Sequence, residues 1–223
     1  MAIVSTVGLI QAIQSALSVP VKTHSASTPG YDLYEVYLFG ICIEAAESIG
    51  MNASFRDASG APVADLVLRT SPSSIWSQAQ KFTHALLSID GQDRLEVHLG
   101  IYLRAGSGVS HEGDVVVIDV GEAARARALH ADPRVSRTAV VIEAKFHSAN
   151  VGLRTGREFL GLVVDLGGGP PIFVSSSPGT SAHRLLSYRK RSGHFELTPG
   201  SNQQNELKSQ VATKLRDYLA RHP

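Results

Sequence analysis

The chain predicts a single α/β domain, a mixed central sheet flanked by helices, and three observations point there. Three β-rich runs follow one another at Leu95–Leu103, Asp114–Val120 and Thr138–Phe146. Helical patterns stand on either side of them, at Tyr31–Ile49 and Leu153–Leu166. With 223 residues, 43% hydrophobic and 18% charged, the chain can bury one sizeable core and has no composition of disorder.

The elements follow in order. Ile3, Val7, Ile10 and Leu17 recur at roughly helical spacing and Pro20 ends the pattern, so residues 1–20 predict an N-terminal helix. Ser, Thr, Pro and Gly make residues 23–30 a loop. The helix over 31–49 is the strongest pattern of the first half, with Gly50 placed to cap it. Short strand-like pieces at Val63–Leu68 and Phe82–Ile89 flank the turn-rich Ser71–Ser74, and their pairing stays open. Asp90-Gly91 is a turn signal before the three β-rich runs, and an Ala- and Arg-rich helix, Glu122–His130, separates the second from the third. Phe159, Leu162, Val163 and Leu166 share one helical face, stopped by Gly167-Gly168-Gly169-Pro170-Pro171; Ile172–Ser175 is then a strand. After a basic stretch, Arg184–Arg191, a last helix spans 202–221, with capping-box spacing at Ser201 and Gln204 and a stripe of Leu207, Val211, Leu215 and Tyr218.

Cys42 is the only cysteine, which excludes an internal disulfide and fits a reducing, cytoplasmic setting; the residue itself belongs to the core. The apolar start lacks a basic leading region and is broken by Gln11, Gln14 and serines, so neither signal peptide nor membrane span is expected. Net charge is +1, but it is segregated, −6 over residues 1–120 and +7 over 121–223. Such asymmetry can join an acidic metal site to a basic surface for a phosphate backbone.

One segment carries chemistry. In Val140-Val141-Ile142-Glu143-Ala144-Lys145-Phe146-His147, strand alternation puts Glu143, Lys145 and His147 on one face and Ile142, Ala144 and Phe146 on the other. A carboxylate and an ammonium thus emerge together from an apolar strand. The preceding run opens His111-Glu112-Gly113-Asp114, placing a lone acid before Val115-Val116-Val117-Ile118; on adjacent strands, Asp114 and Glu143 could share a metal. Phosphodiester hydrolysis needs a nucleophilic water, charge neutralisation and help for the leaving oxygen, which carboxylate-held Mg²⁺ and a lysine can supply.

This arrangement, an acid opening one strand and Glu-x-Lys near the end of the next after an acidic helix, resembles the PD-(D/E)xK superfamily of restriction-endonuclease-like phosphodiesterases. The resemblance implies an αβββαβ core over residues 31–175. It implies that Asp114 and Glu143 bind Mg²⁺, or Mn²⁺ in its place, with the Ala144 carbonyl also facing the metal. Lys145 would position or activate the water and stabilise transition-state charge. It further implies DNA as substrate, restriction or defence as the commonest setting, and a homodimer or a partner subunit that supplies target recognition. RNA or a branched junction, or an assembly module without catalysis, are the alternatives. Gly113 stands where the motif has proline.

Glu206-Leu207-Lys208 repeats the triplet, but on a helix, where residues two apart diverge by about 200° and cannot form one site. Lys208 is therefore expected on an exposed helix face. Glu35, Glu44 and Glu47 compete as the helix acid. Glu35 shares its face with Leu38, Phe39 and Cys42 and is favoured, because a buried carboxylate needs a compensating cation. Arg154 and Arg157, opening a helix, are candidate nucleic-acid contacts, as are Arg189, Lys190 and Arg191. The first and last helices are candidate dimer surfaces. None of the nine histidines has zinc-ligand spacing backed by cysteine; His111 and His147 could border the cleft.

Overall fold

The computed structural model describes residues 5–25, 27–147, 149–167 and 171–222, and among them the chain forms a seven-stranded mixed sheet with six α-helices. Met1–Val4, part of the expected first helix, and Gly168–Pro170, the expected stop after residue 166, lie outside the described residues.

Helices α1 (Thr6–Leu17) and α2 (Gly30–Glu47) precede an antiparallel series: β1 (Asn52–Arg56), β2 (His84–Ile89), β3 (Gln92–Arg104) and β4 (Ser110–Asp119). Helix α3 (Val120–Leu129) leads to β5 (Thr138–Lys145), antiparallel to β4. Helix α4 (Leu153–Asp165) crosses to β6 (Pro171–Ser175) and α5 (Thr180–Tyr188) to β7 (Gly193–His194), both joined in parallel; α6 (Asn202–Arg221) closes the chain.

Helix α2 is buried on nearly every side, which is why its sequence is apolar all round rather than striped. α1 and α6 pack against it, and the core beneath includes Leu95, Val97, Leu99, Val115, Val117, Val140 and Ile142. Of the stripe expected in α1, Leu17 is buried, Ile10 half-buried and Val7 exposed, with Leu9 and Ile13 buried beside Leu17, whereas the α6 stripe of Leu207, Val211, Leu215 and Tyr218 is buried throughout. The Ser201 cap stands as expected, its hydroxyl accepting from Gln204 N, while the Gln204 side chain reaches Gly200 N instead of Ser201.

The opposite face holds a second core, with Ile101, Leu103, Val116, Ile118, Ala123, Ala126 and Val141. Leu99 belongs to the first core and Ile101 to the second although two residues apart, because Gly100 adopts φ 51° and reverses the side to which β3 presents its side chains. The hairpin beyond this bend folds over the second face. There Arg104 bridges to Arg134, and Ser110 Oγ donates to Asp132 at 2.7 Å.

Four segments differ from expectation. Residues 63–68 form no strand; Leu66 instead exchanges backbone hydrogen bonds with Pro20 and Lys22, and its side chain and that of Leu68 are buried. The basic stretch after 180 is largely helix α5, held by Ala182 and Leu186 against Phe159 and Phe173. Strands β1 and β7 were unexpected; both are edges whose extended form comes from a neighbour's hydrogen bonds rather than from their own pattern.

Candidate active site

The site arises where β4 parts from β5. Their pairing runs to Val115↔Ile142, and at the next position Asp114 Oδ2 accepts from Ala144 N at 2.6 Å. A side-chain carboxylate thus replaces a ladder carbonyl, and the strands separate. Gly113 is required here, since a Cβ at that position would lie 2.5 Å from Val116 Cγ2.

Glu143 and Lys145 project side by side from β5, Lys145 Nζ lying 2.6 Å from Glu143 Oε1, with side chains 33% and 20% exposed for the lysine and the glutamate. With Asp114 they line a cleft of about 300 Å³, closed by His111 and Glu112 of the folded-over hairpin and by Thr155, Glu158, Phe159 and Leu162 of α4. His111 pairs with Asp165 and so ties the hairpin to the end of α4.

Negative charge outweighs positive charge in this cleft. Burial, then the Glu143 carboxylate, pushes the Asp114 carboxyl up to about 7, against the pull of the Ala144 N–H and Lys145. Glu35, half-buried on α2, is pushed to about 9 by burial and by the carboxylates of Asp114, Glu112 and Asp32. Glu112 is raised by burial and by Glu143. Burial works against the Lys145 charge, but Glu143, Asp114 and Glu112 hold its ammonium above the ordinary value. Four carboxylates thus act electrostatically on one ammonium.

Among the three helix acids, Glu35 is the one that feels the charges of Asp114 and Lys145. Glu44 turns instead to Lys208 at 3.0 Å, and Glu47 is exposed. Lys208 is therefore not a free surface lysine but links α6 to α2. Arg154 and Arg157 are exposed on the first turns of α4, Arg154 paired to Glu158 at 2.8 Å. Arg189, Lys190 and Arg191 follow α5. Since Gly193 lies opposite Phe173 and Val141 opposite Pro171, they sit level with the start of β6, at the opposite end of β5 from Lys145. His147 lies beyond β5, its backbone N–H donating to Ser176 Oγ at 3.1 Å.

Sequence reasoning passed over Glu112 and Glu158. Glu112 stands two residues before Asp114, a spacing that places both along one strand, but only the folding-over of the hairpin brings it to the cleft. It also passed over a buried group at His84, Glu96 and His98, which among the described residues is the one set of three metal-ligating side chains with ligand atoms within 4.8 Å of one another. The Glu96-x-His98 alternation was its visible part. Compared with protein-family models, curated proteins and solved structures, the chain gives no match.

Proposed function

We propose that this chain is a metal-dependent nuclease of the PD-(D/E)xK type that hydrolyses DNA phosphodiester bonds at the Asp114, Glu143 and Lys145 cleft. The observation that carries the reading is the cleft itself, where the carboxylates of Asp114, Glu143, Glu112 and Glu158 outnumber Lys145, and where burial and mutual repulsion raise the carboxyls of Asp114 and Glu35. A divalent cation relieves such an imbalance. The donors are all oxygens, which suits Mg²⁺, or Mn²⁺, better than softer metals. Asp114 and Glu143, with the Ala144 carbonyl, would hold it, and Glu35 would stand behind them.

Bound there, the cation supplies charge neutralisation and an acidified water. The protein's own groups do the rest. Asp114, braced by Ala144 N at 2.6 Å, keeps its carboxylate fixed to the backbone of the motif strand. Lys145 retains its proton and can donate a charged hydrogen bond to a phosphate oxygen as negative charge builds. Glu143, 2.6 Å from Nζ, orients that ammonium. The order α2, β3, β4, β5, α4, β6 also agrees with an αβββαβ core, with β1 and β2 added before it and α3 inserted. The basic C-terminal half and the exposed Arg154 and Arg157 provide phosphate contacts.

The test is cleavage of plasmid and linear duplex DNA, and of single- and double-stranded RNA, in Mg²⁺, in Mn²⁺ and in EDTA, with Lys145→Ala alongside. Metal-dependent DNA cutting lost in Lys145→Ala is expected. Cutting of RNA alone would move the substrate, and no cutting of any substrate would overturn the reading.

A further inference from the structure

The Glu96 carboxylate is buried on the face of β3 that lies under α3, and one of its oxygens is asked to do too much. Arg127 of α3 grips the group with both terminal nitrogens, Nη1 to Oε1 at 2.9 Å and Nη2 to Oε2 at 2.6 Å. His98 Nε2, on the same strand face, lies 2.7 Å from Oε2. His84 Nε2, from β2, faces the same Oε2 at 3.6 Å, too far for a hydrogen bond. The two imidazoles stack, with centroids 4.9 Å apart and planes at 17°. Arg127 and His98 use both lone pairs of Oε2, so a proton on His84 Nε2 has no acceptor there. A lone pair on that nitrogen would instead face a carboxylate.

We propose that His84 Nε2, His98 Nε2 and Glu96 Oε2 form a transition-metal site, separate from the acidic cleft and suited to Zn²⁺ rather than Mg²⁺. A single cation between the three atoms accepts both nitrogen lone pairs and one oxygen lone pair, and leaves Arg127 on the carboxylate as its outer support. Tetrahedral ligation at about 2.0–2.2 Å places ligand atoms roughly 3.3 Å apart. The observed 2.7 and 3.6 Å nitrogen–oxygen separations bracket that value, and all three ligand atoms lie within 4.8 Å of one another. Two imidazoles and a carboxylate are a borderline-soft donor set, unlike the oxygen-only cleft. All three residues are buried, at 5%, 3% and 1% exposure for His84, Glu96 and His98, so the metal would fasten β2 to β3.

The inference does not depend on the nuclease reading. The experiment strips the full chain with EDTA, removes the chelator, and titrates Zn²⁺ by calorimetry and Co²⁺ by visible absorption. One equivalent is expected to bind, with the intense bands of low-coordinate Co²⁺ and a higher Tm in Zn²⁺. Zinc-edge X-ray absorption of the wild-type chain is expected to show imidazole scattering, a readout that needs no variant. His98→Gln and His84→Gln should each weaken Zn²⁺ more than 100-fold, whereas Asp114→Asn should leave it within about threefold. Absence of a stoichiometric Zn²⁺ site, oxygen-only ligation, or loss of the site in Asp114→Asn would each overturn the proposal.

Discussion

Asp114 Oδ2 takes its hydrogen bond from Ala144 N at 2.6 Å, the backbone amide between the two charged residues of the motif strand. This one bond fixes the acid against Glu143 and Lys145 and holds β4 and β5 apart. Asp114→Asn exchanges a charged acceptor for a neutral one and keeps the shape. The expected outcome is loss of cleavage by about 100-fold or more with the fold intact, on the scale of removing one preorganised electrostatic group. Single-turnover rates in Mg²⁺ together with circular dichroism check it, and an unchanged rate would remove Asp114 from the site.

Lys145 and Lys208 offer a matched comparison. Lys145→Ala should abolish most cleavage while leaving DNA affinity within a few-fold, because one ammonium adds little to binding but acts on the transition state. Lys208→Ala breaks the pair with Glu44 and should leave the rate within about twofold, at a stability loss of about 1 kcal/mol or less. Equal losses of rate in the two variants would show that the chosen site is wrong.

The metal-free protein should become less stable as pH rises. Carboxyls raised to about 7 at Asp114 and about 9 at Glu35 bind protons in the folded state that the unfolded chain, with ordinary carboxyls near 4, releases. Their protonated forms are therefore favoured by folding, and stability falls from about pH 4 until about pH 9. Melts in EDTA should show this decline, and Glu35→Gln should flatten it, raising Tm at pH 8 by roughly 2–4 °C for each kcal/mol recovered. A decline unchanged in Glu35→Gln would mean that this carboxyl is not strained.

Glu122 works in the opposite sense. Burial raises its carboxyl, but Arg125 and Arg134, which approach it to 2.6 Å, overcome that and hold it at about 2. Its contribution is present above the unfolded value near 4.3 and is lost as pH falls toward 2. Glu122→Gln should cost on the order of 2 kcal/mol at pH 7 in urea denaturation, less than a fully buried pair because Arg134 stays half exposed. A cost under 0.5 kcal/mol would show the cluster to be a surface ornament.

The arginines at the start of α4 should separate in salt dependence. Arg154 is already paired with Glu158, whereas no salt bridge involves Arg157 among the described residues. Arg157→Ala is expected to lower the slope of log affinity against log salt by about 0.9, one phosphate contact, and Arg154→Ala by less. Filter binding of duplex DNA over a salt series measures both, and identical slopes in wild type and Arg157→Ala would take that residue off the binding surface.

The sequence by itself determined the elements whose signals are local. The period of two in β5 set Glu143 beside Lys145, the Ser201 cap and the stripe at Leu207, Val211, Leu215 and Tyr218 defined α6, and the apolar run of α2 announced its burial. Periodicity and capping act within a few residues and can be read from one strand of text. Tertiary structure alone decided the rest. The reversal at Gly100 folds a hairpin over the second core and carries Glu112 to the cleft, and Glu96 meets Arg127 across 31 positions of chain. The partners of Glu44 and Lys208 lie 164 residues apart, and β1 and β7 are extended because a neighbour offers them a ladder. Such contacts form between segments distant in sequence, so no local pattern records them, and the buried charges at Glu35 and Glu96 take their meaning from groups the rest of the chain brings to them.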